Sequence, residues 1–371
     1  MENNNTQRKI LFVLPSLDAG GAERVLITLM NGVDRDHYDA EFISVRGKGP
    51  LIDLINPSIP VHSLNKSPVP YVFPFLPSLY RQIKAVQPDM IVSTMAHMNF
   101  AVLMLKPFFP DVRFVVREAI TPTFLFEKYR KMNWIIKVLY KRLYPKADCI
   151  VSPSQKVFDE FRDHLGVDWP NRLLLKNPVA VTTIRNLISF SDQDVVVQEA
   201  VRFVACGRLS KQKGFDRLIR ALGRFNPPYA WYLNILGEGP ERPVLEDLIK
   251  SHGLEDRVFL KGLVMPPYTE MARADCLLMP SRFEGLPNVV LESLACGTPV
   301  IATRESGGID EIAADCEEGV VRIVDTMQGF LHEMEKVIPC NNKNCAISFL
   351  AECYELENVT GEFDRLLNSL Q

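Results

Sequence analysis

The stretch "RFVACGRLSKQKGFDRLIRALGRFNPPYAWYLNILGEGPERPVLEDLIKSHG" (202–253) reads as strand, helix, strand, helix. "RFVACGRLS" supplies a strand and its exit loop, "GFDRLIRALGRF" a helix, "AWYLNILGEG" a second strand and "ERPVLEDLIKSHG" a second helix. Three more short strands follow in "RVFLKG", "DCLLMPS" and "PVIAT". Repeated βα units of this kind build parallel sheets with helices on both faces.

The same rhythm fills the first half of the chain. "KILFVLPSL" (9–17) is a continuous apolar run, as in a strand buried on both faces. A helix is expected after Gly20-Gly21, because Ala22, Val25, Leu26, Leu29 and Met30 fall on one helical stripe. Strands are expected at 40–45, 89–94, 113–117 and 148–152, and a helix over 155–165 that stops at Gly166. Between about 176 and 200 the rhythm lapses around Asn177-Pro178 and a polar run. The chain of 371 residues therefore divides into two domains, 1–180 and 181–371. The fold class is α/β, with two doubly wound, Rossmann-like domains facing a cleft. Open sheets of this class bind ligands at the carboxyl ends of their strands.

Apolar residues make up 47% of the chain and charged residues 23%, ordinary for a globular protein, and the net charge of −3 provides no basic field for nucleic acid. Eight cysteines lie mostly in apolar runs, as reduced cytosolic thiols do; Cys340 and Cys345 bracket "NNKN" without a second ligand pair at zinc spacing. "MENNNTQRK" lacks a signal-peptide core, and no run approaches the ~20 apolar residues of a membrane span.

The chemistry concentrates in "SRFEGLPNVVLESLACGTPVIA" (281–302). A helix is expected over 287–296, with Pro287 at its first position and Gly297 beyond its end. Its N-terminus is an anion site. Glu284 precedes that end, and Glu292 lies about one and a half turns inside it. Carboxylates repel a phosphate, so these two suit hydroxyls on either side of a diphosphate, the sugar's and the ribose's. In "CGRLSKQKGFDRL" (206–218), Arg208 and Lys213 can neutralise the diphosphate itself. Taken singly, each segment reads equally well as solvated loop charge.

Together, "FEGLPNVVLESLACGTPV" and "GRLSKQKGFDRLI", with "LGEGPERPVLEDLIKSHGLEDRVFLKG" between them and "LPSLDAGGAERVL" near the N-terminus, resemble the retaining glycosyltransferases of family 4. The resemblance spans roughly 8–320 and is looser between 50 and 180. It implies the GT-B fold, an N-terminal acceptor domain and a C-terminal domain for a nucleotide-sugar donor. The last helix, over 355–369, would cross back to the first domain. Glu284 would meet the donor sugar's hydroxyls and Glu292 the ribose. Arg208 and Lys213 would clamp the diphosphate, joined by backbone N–H groups near Leu286, Asn288 and Val289. "KGLVM" (261–265), with Val264, would hold the base through backbone groups. Gly20 and Gly21 would let the first loop approach donor and acceptor, since neither carries a Cβ. His97, after a strand in "DMIVSTMAHMNFAVL", matches a family histidine that touches the donor sugar; a helix cap is the plainer alternative. The Arg117-Glu118 pair would bind acceptor or form a solvated pair. UDP is favoured as the nucleotide, with GDP the alternative; the acceptor would be a lipid-linked or oligosaccharide glycan of bacterial cell-surface polysaccharide, and no cofactor or metal is expected to be required.

Other nucleotide motifs fail: "GEGPER" puts Arg242 where a dinucleotide fingerprint needs a small residue, and no Walker A sequence exists. Asp34-Arg-Asp36 and Asp192-Gln-Asp194 read as solvated charge. A non-hydrolysing sugar-nucleotide epimerase and an inactive sugar-nucleotide-binding protein are the rival readings. "FLFEKYRKMNWIIKVLYKRLYPK" (124–146) carries Lys128, Arg130, Lys131, Lys137, Lys141, Arg142 and Lys146 against Glu127 alone, interleaved with aromatics such as Trp134. This pattern suits peripheral contact with an anionic membrane on the cytoplasmic side. An ordinary helix with a basic outer face is the alternative.

Overall fold

The computed structural model describes residues 7–18, 20–66, 73–166, 169–188, 200–339 and 347–370. Asp192-Gln-Asp194, Cys340, Cys345, the polar extreme N-terminus and much of the lapse near 176–200 lie outside them, as does the side chain of Lys128.

Two compact units form, Met1–Pro178 with Leu356–Gln371, and Val179–Glu355. In the first, strands β1 (Arg8–Leu14), β2 (Tyr38–Ser44), β3 (Val61–Ser63), β4 (Met90–Thr94), β5 (Arg113–Arg117), β6 (Cys149–Ser152) and β7 (Arg172–Leu174) form a parallel sheet in the order β3-β2-β1-β4-β5-β6-β7. Helices α1 (Gly21–Gly32), α2 (Leu76–Val86), α3 (Ala96–Leu105), α4 (Pro122–Lys128), α5 (Asn133–Leu143) and α6 (Gln155–Leu165) connect them. The apolar run of β1 feeds two cores. Leu11 and Val13 pack with α2, α3, α5 and α6, while Ile10, Phe12 and Leu14 pack with α1. Full burial of each such side chain contributes about 1.5–3 kcal/mol.

In the second unit, α7 (Val181–Asn186) precedes β8 (Ala200–Cys206), α8 (Phe215–Leu222), β9 (Ala230–Leu236), α9 (Arg242–Ser251), β10 (Val258–Gly262), α10 (Tyr268–Arg273), β11 (Cys276–Met279), α11 (Asn288–Ala295), β12 (Val300–Thr303), α12 (Ile309–Asp315), β13 (Val321–Val324) and α13 (Met327–Glu335). The sheet order is β10-β9-β8-β11-β12-β13, again parallel. The last helix, α14 (Leu356–Ser369), buries Val359, Phe363 and Leu367 in the core shared by β1 and α1. Residues 356–371 thus leave the 181–371 division, because their apolar stripe completes the first unit's core.

Smaller corrections concern boundaries. Helix α11 begins at Asn288, with Pro287 as its N-cap residue rather than its first helical residue. Strands β3 and β7, three residues each, are too short for any periodicity to show. The weakly patterned region beyond 320 contains β13 and α13.

Both sheets reverse their strand order once, at β1/β4 and at β8/β11. Such switch points open a crevice at the strands' carboxyl ends. At β8/β11 the crevice is held by very close backbone packing. Gly214 precedes α8 at φ +69°, and a Cβ there would overlap the Pro280 carbonyl oxygen after β11. Gly214→Ala should cost about 2 kcal/mol or more from this overlap and the left-handed strain, read as a fall in urea midpoint. An unchanged midpoint would mean the two loops do not pack this closely.

Candidate functional site

The exit loops of β8 and β11 meet through named contacts. Gln212 accepts from the Arg282 backbone N–H at 2.8 Å and donates its side-chain amide to Phe283 O at 3.2 Å. Arg282 donates to both oxygens of Asp216, at 2.7 and 3.0 Å, and to Lys211 O at 2.6 Å. Burial alone would raise the Asp216 carboxyl; hydrogen bonds from Arg282 and Arg220 overcome this and bring it down to about 2. Arg217 donates to Pro280 O and Ser281 O, both at 2.8 Å. From the other side, Gly307 at φ +70° lies against Glu284 O, and the Gly308 N–H donates to Gly285 O at 2.9 Å.

This frame presents an ion pair. Lys213 Nζ lies 2.8 Å from Glu284 Oε1, with the two side chains 18% and 12% exposed. The lysine's stem runs over Gly207, where a Cβ would crowd its Cε at 2.9 Å. Gln212 reaches the other Glu284 oxygen at 3.4 Å. The sequence reading set Lys213 and Glu284 to separate tasks; the structure joins them. Arg208, on the same loop, is exposed and forms no ion pair among the described residues. Leu286 is buried, and half-buried Asn288 and Val289 start α11. Glu292 is half-buried four residues into that helix, about 6 Å along its axis from Asn288. Val264 follows β10, whose last residue, Gly262, accepts from the Gly237 N–H at 2.7 Å. Arg208, Lys213, Glu284 and Val264 therefore all follow carboxyl ends of one sheet, and α11 leads Glu292 away from the same end.

The first unit carries the remaining residues at its own switch point. Gly20 is the N-cap of α1 and Gly21 its first residue, after β1; His97 is the second residue of α3, after β4. Gly20 has an ordinary extended backbone, so conformation does not require a glycine. A Cβ there would overlap the Glu23 carboxylate instead. The sequence reading passed over Glu23. Its place as the third helical residue after the N-cap, where a glutamate reaches back to the helix start, was the available signal. Burial pushes Glu23 up to about 7, against a hydrogen bond from its own backbone N–H and with Asp18 adding repulsion.

Arg117 and Glu118 are buried, at 2% and 0% exposure, which excludes a solvated pair. Arg117 donates to Asn177 Oδ1 and, at 3.4 Å, to Thr94 Oγ1. Burial lowers its guanidinium to about 10 and raises Glu118 to about 8. Asp34 of the first DxD triplet accepts from the Asp36 N–H and pairs with His37 at 2.7 Å, closing an exposed turn. Among the described residues no group of three or more His, Cys, Asp or Glu side chains could hold a metal.

A raised carboxyl makes the folded state bind more protons than the unfolded chain between the two pKa values, so stability falls as pH rises through that window. The stability of the unaltered chain relative to Glu23→Gln should therefore fall between pH 4.5 and about 7 and level off above it. Paired denaturant curves across this range test it; a difference that is flat or rises with pH would contradict it.

Comparison with known proteins identifies the family. Residues 19–182 match the family described as Glycosyltransferase Family 4, and residues 191–348 match Glycosyl transferases group 1. An N-acetylgalactosamine-N,N'-diacetylbacillosaminyl-diphospho-undecaprenol 4-alpha-N-acetylgalactosaminyltransferase from Campylobacter jejuni is 28% identical over 340 residues, 89% of this chain and 90% of its own. A lipopolysaccharide core biosynthesis glycosyltransferase, LpsE, from Rhizobium meliloti is 33% identical over 222 residues, 60% of this chain and 62% of its own. The crystal structure of Anabaena Alr3699/HepE in complex with UDP and glucose superposes with a TM-score of 0.78 at 22% identity, covering 98% of this chain and 100% of that one. With both halves matched in order and two Rossmann-like sheets of seven and six strands, this chain belongs to the family 4 glycosyltransferases of GT-B fold.

Proposed function

We propose that the chain is a retaining, metal-independent glycosyltransferase that moves a sugar from a UDP-sugar to a hydroxyl of a lipid-linked glycan in bacterial cell-surface polysaccharide synthesis. The observation that carries this reading is the Lys213–Glu284 pair at the β8/β11 switch point, with exposed Arg208 on the same loop. A diphosphate entering there offers Lys213 a second anion and releases Glu284 to accept hydrogen bonds from sugar hydroxyls. Glu292 takes the ribose, the Leu286–Val289 backbone the phosphate, and the Val264 loop the base. Gly20, Gly21 and His97 serve the donor and acceptor from the first unit.

In the reaction, the donor's anomeric C–O bond breaks and the electron pair leaves with the nucleoside diphosphate. The acceptor oxygen bonds to the anomeric carbon on the face that the leaving group vacates. Its proton passes to the departing phosphate oxygen. The sugar carries oxocarbenium-like charge between these events. Arg208 and Lys213 stabilise the charge that builds on the leaving group. The Campylobacter relative is named for a diphospho-undecaprenol acceptor, and the Anabaena neighbour holds UDP and glucose, which supports the same substrate classes here.

Product analysis with a panel of sugar nucleotides and undecaprenyl-linked acceptors tests the reading. Transfer should retain the anomeric configuration and survive chelator. Glu284→Gln should lower kcat about a hundredfold or more while the cooperative melt persists. Rearrangement of the sugar nucleotide without acceptor would point to an epimerase instead.

The acceptor reading extends to a membrane contact on the cytoplasmic side. Helix α5 buries Ile136, Tyr140 and Leu143 but exposes Trp134 by 68% and Val138 by 48%, one turn apart. Exposed Arg130, Lys131, Lys141, Arg142 and Lys146 flank them, while Lys137 Nζ lies over the Phe126 ring at 5.0 Å. Among the described residues no helix is long and apolar enough to cross a membrane. Each basic group near an anionic surface contributes about 1 kcal/mol. Co-sedimentation with phosphatidylglycerol vesicles should be strong for the unaltered chain and about tenfold or more weaker for Lys141→Glu with Arg142→Glu. Equal binding by both, or binding to neutral vesicles alone, would refute the contact.

A further inference from the structure

A buried polar cluster at the ends of β4 and β5 has no part in the roles above. Asn99, in the first turn of α3 and wholly buried, uses its entire amide. Its Oδ1 accepts from Ser93 Oγ at 2.8 Å. Its Nδ2 donates to Arg117 O at 2.9 Å and to the Tyr144 hydroxyl at 3.0 Å, with Glu118 Oε1 at 3.4 Å. Tyr140, in α5, donates to the same Glu118 oxygen at 3.4 Å, and Glu118 Oε2 is buried with no hydrogen-bond partner among the described residues. Tyr140 and Tyr144 are themselves fully buried, one in α5 and one in the turn after it.

This cluster grips the turn that carries His97. Between β4 and α3 the backbone passes through Met95 at φ +72°, a left-handed conformation that a non-glycine residue keeps only where its surroundings impose it. Met95 O accepts from the Met98 and Asn99 N–H groups, both at 2.9 Å. The first turn of a helix has few hydrogen bonds of its own. Its orientation therefore depends on what holds it from outside, and here that is the Asn99 amide, fastened to β4, β5 and the end of α5.

We propose that Asn99, with Tyr144 and Glu118 behind it, is a positioning residue: it locks the Met95–His97 turn so that the His97 imidazole meets the donor sugar in one orientation. The inference rests on the role of His97 given above. Asn99 touches no substrate; it acts through the turn.

A double-mutant cycle on kcat tests it, using the full chain. Tyr144→Phe removes one hydroxyl and keeps the ring, so the fold survives even where Asn99→Ala fails to fold. Tyr144→Phe should lower kcat about fivefold, the size of one net buried hydrogen bond, with donor KM unchanged. In a His97→Ala background the same change should cost nothing further, because no imidazole remains to be placed. An equal loss in both backgrounds, or a lower melting temperature with kcat untouched, would overturn the positioning role while leaving His97 in place. If His97→Ala transfers normally, the role of His97 falls and the positioning role falls with it. If the unaltered chain transfers no sugar, the proposed function itself is wrong, and this role goes too.

Discussion

The contact between the Gly214 turn and the Pro280 carbonyl sets the second unit's site. Two loops from neighbouring parallel strands approach so closely that Gly214 could not carry a methyl group without overlapping the Pro280 carbonyl oxygen. Everything functional on those loops inherits the spacing. Lys213, one residue before the glycine, and Glu284, four after the proline, are brought to 2.8 Å without lying on a common element. Arg282 and Arg217 cross-link the same two loops through backbone carbonyls and Asp216, so the pair sits on a rigid frame rather than on mobile side chains.

That pairing changes how the positive charge works. A lysine held on a carboxylate in a partly buried site has already lost much of its hydration, and its stem is fixed over Gly207. Under the proposed function, a diphosphate would meet a cation in place rather than one recruited from solvent, which is the sense in which electrostatic catalysis is preorganised. The carboxylate is equally spoken for. In the proposed function, its exchange from lysine to sugar hydroxyl would couple donor entry to the placement of both groups.

Much of this was legible in the residues. The two apolar periodicities placed the long strands and their helices, and the order of the Arg208, Lys213, Glu284 and Glu292 motifs marked one strand-end site. Two things were not. The Lys213–Glu284 contact joins residues 71 apart and depends on β8 and β11 being neighbours, which no local pattern states. The burial of Arg117 and Glu118 depends on α3 and α5 closing over them; two adjacent charges read as surface in any local window.

The central claim is that the loops after β8 and β11 form a diphosphate clamp. Calorimetric titration with UDP and with uridine tests it most directly, because the two ligands differ only in the diphosphate. The unaltered chain should bind UDP at least tenfold more tightly than uridine, and the combined Arg208→Ala and Lys213→Ala change should erase that preference while leaving uridine binding as it was. Equal affinity for UDP and uridine in the unaltered chain, or a preference that survives the double change, would contradict the account.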